Sequence, residues 1–145
     1  MIKIKIMKKI LITLLVFFVS VTTTFSQNSD ILKLRTTELA IMYMESYGWG
    51  EWSDWEDVNV LVVFDIEKDR IKIFSKETQI YDVIQDKGKS YDDGDEIYSY
   101  LCVNEDGNQC RVKLWKRYRS NGSFYNQLYI NFSDMRWVYN LYVVD

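Results

Sequence analysis

Histidine and proline are both absent from this 145-residue chain, and only two cysteines and six glycines occur. Without histidine there is no Ser-His-Asp or Cys-His constellation, most zinc-ligand sets are closed, and the commonest general base near neutral pH is missing. No P-loop, dinucleotide glycine pattern or helix-borne metal motif is present either. An enzyme built here would run on carboxylates, tyrosine or lysine, as in carboxylate-pair glycoside hydrolysis. No spacing singles out two acids for that work among the 21 present. The chain therefore reads as non-enzymatic, with no cofactor and no metal expected. Asp54-Trp55-Glu56-Asp57 and Asp92-Asp93-Gly94-Asp95-Glu96 offer the hard oxygen ligands that calcium takes, but neither has EF-hand spacing, and both read as solvated loops.

Long apolar runs are also scarce after the first 26 residues. Residues 1–9 carry four lysines and no acid, residues 10–21 are apolar except for Thr13 and Ser20, and Thr24-Phe25-Ser26 is a small-x-small step. This is the three-part layout of a signal peptide, with an apolar run too short to cross a ~30 Å hydrocarbon core comfortably. Residues 1–26 are expected to be a cleaved leader and 27–145 a single domain, periplasmic or secreted. The first cysteine is Cys102, so no lipoprotein anchor is expected, and no later segment suggests a membrane span. Loss of Lys3, Lys5, Lys8 and Lys9 leaves 14 cations against 21 acids, a net charge of −7. A domain this acidic is poorly suited to nucleic acid, whose phosphates need clustered cations. The one basic cluster, Arg111, Lys113, Lys116, Arg117 and Arg119, falls on an expected strand and reads as a solvated face.

What is present is alternation. Val58, Val60, Val62, Phe64 and Ile66 share one face of a strand, and a two-residue turn at Lys68-Asp69 pairs Phe64 with Ile73 and sets Asp65 opposite Lys72. A three-residue loop at Lys76-Glu77-Thr78 then places Ile73 against Tyr81 and Ile71 against Val83. Residues 87–96, polar and glycine-containing, read as a loop. Asn104-Glu105-Asp106-Gly107 and Ser120-Asn121-Gly122 are hairpin turns, the second pairing Tyr118 with Phe124, Leu114 with Leu128 and Val112 with Ile130. A turn at Asp134-Met135 sets Ile130 on Tyr139. Residues 31–44 fit a strand or a short amphipathic helix, with Thr36 and Thr37 favouring the strand. The result is an all-β chain of seven or eight antiparallel strands in an up-and-down meander, closed or partly closed into a barrel, or else an open curled sheet.

Two further features bear on function. The three-residue reading of the Asn104–Gly107 turn sets Cys102 directly opposite Cys110, and export to an oxidising compartment makes a disulfide the expectation there. That register also places the pair at a hydrogen-bonded position, wider than a disulfide prefers. The inward face carries Tyr81, Tyr98, Tyr100, Tyr118, Trp137 and Tyr139 with Lys116 and Asn126. Buried hydroxyls and an ammonium need partners, which either a packed core with tyrosine tips at the mouths or a ligand-filled cup would supply. Those eight residues are the candidate site for a small apolar or aromatic ligand. The alternative is an envelope or surface protein partner gripped by exposed Trp52, Trp55, Trp115 and Tyr129. Gly50-Glu51-Trp52 resembles the Gly-x-Trp that opens the lipocalin barrel, a likeness of three residues and of architecture; the reading preferred to it is a tryptophan plugging the end of a barrel or sheet.

Overall fold

The computed structural model describes residues 30–145, so the expected leader lies outside the described residues. Ten strands follow one another: β1 (Ile31–Glu45), β2 (Gly48–Trp49), β3 (Glu56–Asp57), β4 (Leu61–Asp65), β5 (Arg70–Phe74), β6 (Thr78–Asp92), β7 (Asp95–Asn104), β8 (Gln109–Tyr118), β9 (Phe124–Asn131) and β10 (Met135–Val143). Eight form an antiparallel meander, β1-β4-β5-β6-β7-β8-β9-β10, and β10 returns to pair with β1, closing the barrel. Residues 31–44 are strand, not helix. β1 closes the barrel because it is long enough to serve several neighbours. One edge runs along β10 from Leu34↔Val143 to Tyr43↔Met135, while the other meets β4, β3 and β2 in turn.

Buried Leu34, Val62, Ile71, Ile73, Cys102, Val112, Leu128 and Ile130 fill the lumen. Lys33, Lys72, Arg111 and Arg117 lie on the alternate, outer positions. Apolar inside and charged outside is the reverse of a transmembrane barrel. A bulge at Thr37 shifts the β1 register, and beside it the buried Thr36 hydroxyl donates to Val58 O (3.0 Å) and accepts from Val60 N (2.9 Å). Val58 and Val60 are thus held by Thr36 and not by a regular ladder, so the expected strand begins only at Leu61.

Two hairpins have the expected register: Cys102↔Cys110 and Val112↔Ile130 with Tyr118↔Phe124. Three others slip by two residues. The β4–β5 loop spans Ile66 to Asp69, pairing Phe64 with Ile71 and Val62 with Ile73. Asp65 Oδ1 accepts from Lys68 N (3.2 Å) and Asp69 takes φ +48°, so the longer turn is organised by the carboxylate and Ile66 is left 59% exposed. The β5–β6 loop is Ser75-Lys76-Glu77, giving Ile71↔Tyr81, and it brings Arg70 Nε within 2.8 Å of Asp82. The β9–β10 turn is Ser133-Asp134, closed by Phe132 N to Met135 O (2.8 Å), giving Ile130↔Trp137 and Leu128↔Tyr139. A slip of two keeps every side chain on its face, so the lining survives each correction.

The expected loop over residues 87–96 is instead the end of a long hairpin. Asp93 (φ +49°) and Gly94 (φ +84°) make a two-residue turn between Asp92 and Asp95. Left-handed φ at both positions is the type I′ geometry that matches strand twist. The expected disulfide is absent: Cys102 and Cys110 are buried free thiols. The Asn104 N to Asn108 O bond (2.9 Å) makes that pair, and the cysteine pair two residues along, hydrogen-bonded positions, where Cβ atoms stand too far apart for a bridge.

Candidate functional site

The barrel divides the eight expected site residues between its two ends. Tyr81, Trp137 and Tyr139 occupy the end floored by Phe132. Tyr81 donates to Gln79 Oε1 (2.6 Å), its ring lies 6.5 Å from Phe132, and Phe132 lies 5.4 Å from Trp137. Burial pushes the Tyr81 hydroxyl well above its ordinary range and raises that of Tyr139. These are packed core groups. The other five, Tyr98, Tyr100, Lys116, Tyr118 and Asn126, line the opposite mouth.

That mouth is flared because its strands differ in length. The last β5–β6 pair is Arg70↔Asp82, yet β6 runs on to Asp92, paired only with β7. Bulges at Ile84 and Lys87 interrupt its register with β7 and add local twist. Directly opposed residues share a face, so Lys89↔Tyr98, Tyr91↔Glu96, Glu96↔Lys116, Lys116↔Asn126 and Tyr118↔Phe124 build one inward-facing shelf. Lys89 Nζ sits 3.2 Å from Glu96 Oε1 and above the rings of Tyr91 and Tyr98, at 5.3 and 5.6 Å. The hydrogen bond to Glu96 raises the Lys89 pKa, so the ammonium is charged at neutral pH. Lys116 Nζ stands 4.1 Å from the Phe124 centroid and 5.3 Å from that of Tyr118. Among the described residues Lys116 has no carboxylate ion-pair partner. Tyr91, Tyr118 and Phe124 are 70%, 42% and 49% exposed.

Beneath the shelf, where β6 leaves β5, Phe64, Ile71, Val83 and Tyr100 line a pocket of about 50 Å³. Ligand pockets are typically ~300–1,000 Å³, so this depth is too small to hold a ligand. Lys89, Tyr91, Glu96 and Phe124 were not among the expected site residues. The signal for Lys89, Tyr91 and Glu96 was alternation on both sides of Asp93-Gly94, and that for Phe124 was its pairing with Tyr118 across the next hairpin.

Of the four aromatics expected to grip a protein partner, Trp52 and Trp55 are exposed, whereas Trp115 and Tyr129 are half-buried on the outer wall. The Trp52 ring is 6.2 Å from Tyr129, and Trp115 is 5.7 Å from Tyr129 on the other side. Trp52 therefore covers the outer wall and closes no barrel end. Gly50 N donates to Tyr43 O (2.9 Å); a Cβ there would meet chiefly the flexible end of the Glu45 side chain (2.8 Å), so packing does not require the glycine in Gly50-Glu51-Trp52. The two acidic clusters form no metal-holding group among the described residues, and Asp95 is spent on Trp115 Nε1 (3.2 Å) and Tyr118 N (2.9 Å). Comparison with protein-family models, curated proteins and solved structures finds no match to this chain.

Proposed function

We propose that this chain is an exported, non-enzymatic binding domain that holds the apolar or aromatic part of a small molecule at the flared barrel mouth. The observation that carries the reading is the exposure of Tyr91, Tyr118 and Phe124 on a shelf that also bears Lys89 and Lys116. Aromatic faces with a few convergent polar groups are the usual make-up of small-molecule sites. Tyr98, Tyr100, Lys116, Tyr118 and Asn126 are the contacts, and Tyr81, Trp137 and Tyr139 support them from below. The lysines favour a ligand whose polar end is an anion or a π-rich ring. Export follows from the leader pattern in residues 1–26.

The test is titration with a fluorescent hydrophobic dye. Tyr118→Ala and Phe124→Ala should abolish binding while leaving the unfolding transition in place. Failure of the unmodified protein to bind any such probe would dispose of the reading. A second reading, an envelope protein-interaction module, draws on the same three exposed rings, since tyrosine and other aromatics dominate interface hot spots. Concentration-dependent assembly in size exclusion, or a captured envelope protein lost with Tyr91→Ala, would favour it.

A further inference from the structure

The basic cluster on β8 does not act as one unit, because strand parity splits it. Lys116 points to the mouth, and Arg117 is taken up by Asp95 at 3.6 Å. Arg111 and Lys113 remain on the outer wall, and the register brings Arg136 of β10 beside them: Arg111↔Asn131 and Asn131↔Arg136 are direct cross-strand pairs. The three cations border an open groove of about 480 Å³, whose lining includes Gln109, Asn131 and Ser133 and holds no carboxylate. Among the described residues none of the three makes an ion pair. In a chain carrying 21 acids, a cation-lined groove free of them is a local reversal of the overall charge.

We infer that this groove binds a short acidic saccharide, a chain of sugar rings bearing carboxylates. Three observations select that chemistry. Arg111 and Arg136 are two strands apart, roughly 10 Å, and Lys113 is roughly 7 Å along the strand from Arg111. This spread exceeds a single small anion and suits charges repeated along a ligand. Asn131 Oδ1 and Arg136 Nε are both buried without a protein partner, an acceptor and a donor on directly opposed residues. An anion offers only acceptors, so Asn131 Oδ1 calls for a donor, and a hydroxylated anion satisfies both atoms. The Arg136 guanidinium already sits over the Trp49 ring, 3.8 Å from its centroid, so it is held in place before any ligand arrives. The one aromatic in the lining, Phe132, is already packed against Tyr81 and Trp137, so the groove offers no free ring on which bases would stack, which sets a nucleic acid aside.

The experiment is an amide-resonance titration of the chain with an oligogalacturonate, a neutral oligosaccharide of equal length, inorganic phosphate and a single-stranded oligonucleotide. The oligogalacturonate should produce saturable, salt-sensitive shifts centred on residues 109–113 and 131–136. Arg111→Gln and Lys113→Gln should each weaken binding by about tenfold, the loss of one charge-assisted contact. Both residues lie at the surface, so an unchanged unfolding midpoint verifies the fold, and dye binding at the mouth should persist in both variants. Absence of oligogalacturonate shifts, binding indifferent to Arg111→Gln, or equal binding of the neutral sugar, phosphate or oligonucleotide would each overturn the assignment.

Discussion

Cys102 and Cys110 face each other directly across the β7–β8 hairpin, both buried in the barrel lumen and both free thiols. Burial pushes each thiol up to about 12 from an ordinary 9.0. Two outcomes are expected. A thiol reagent at neutral pH should label neither cysteine until denaturant is added, and then both. Stability should also fall in alkali. The unfolded chain gives up these protons first, so the contribution of the protonated thiols is whole below about pH 9 and is lost as pH climbs toward 12. The raised hydroxyls of Tyr81, Tyr100 and Tyr139 add to that loss above pH 10.0. Urea titrations at stepped pH read the slope; a flat or rising profile would contradict it.

Core and shelf should separate cleanly under substitution. Leu128 is fully buried at the centre of the lumen, so Leu128→Ala should cost about 2–5 kcal/mol. Tyr118 is 42% exposed at the flare, and Tyr118→Ala should cost within about 1 kcal/mol. Chemical denaturation measures both. Loss of stability at Tyr118 comparable to that at Leu128 would show that the shelf is part of the core.

How much was legible follows from what alternation can and cannot say. Period two fixes faces, so Leu114, Leu128 and Leu141 were assigned to one lining and the barrel was recognisable from the chain. Alternation does not fix register, because a slip of two preserves the pattern. Val62↔Ile73 satisfies it as well as the expected Phe64–Ile73 pairing. The deciding contacts were local and polar: the Asp65 carboxylate on Lys68 N, and the Thr36 hydroxyl between Val58 and Val60. Residues 87–96 were misread because an overhanging hairpin meets solvent on both faces and so carries loop-like composition. Half of the shelf was hidden by that misreading. The cationic groove was invisible because Arg136 reaches Arg111 only across β9, and that register emerges from the fold.

The Asp93-Gly94 turn should control the shelf more than the barrel. Gly94 holds φ +84° with nothing within 4 Å of an added Cβ, so the cost of substitution there is conformational and not steric. Gly94→Val should destabilise the hairpin end by about 1 kcal/mol or more, since a β-branched residue resists left-handed φ. Asp93→Asn should be tolerated, as asparagine accepts that region readily. Amide exchange at Lys89 and Tyr98 should quicken in Gly94→Val, with exchange at Leu128 unchanged and dye affinity reduced. Equal quickening throughout would mean that the overhang and the barrel open together.

On the outer wall, Gln127 is the middle of a polar row that crosses five strands. Its Nε2 donates to Asn140 Oδ1 (2.9 Å), and Asn140 Nδ2 donates in turn to Glu38 Oε2 (2.8 Å). Its Oε1 accepts from Arg117 Nε and from the Tyr129 hydroxyl (3.1 Å), while Arg117 continues to Asp95. Gln127 is only 8% exposed, covered by the aromatic row of Trp52, Tyr129 and Trp115. Gln127→Leu keeps the volume but strips partners from Asn140 and Arg117, so it should cost about 1–3 kcal/mol. Asn140→Leu alone should cost a similar amount. The double variant removes both ends of one bond and should cost less than the sum, with a coupling of about 0.5–3 kcal/mol. A double-mutant cycle by urea denaturation measures it. Strict additivity would show that the row is a set of independent surface bonds; coupling would make it the seam that ties β1 and β10 at the closure to β9 and β8, which carry the mouth.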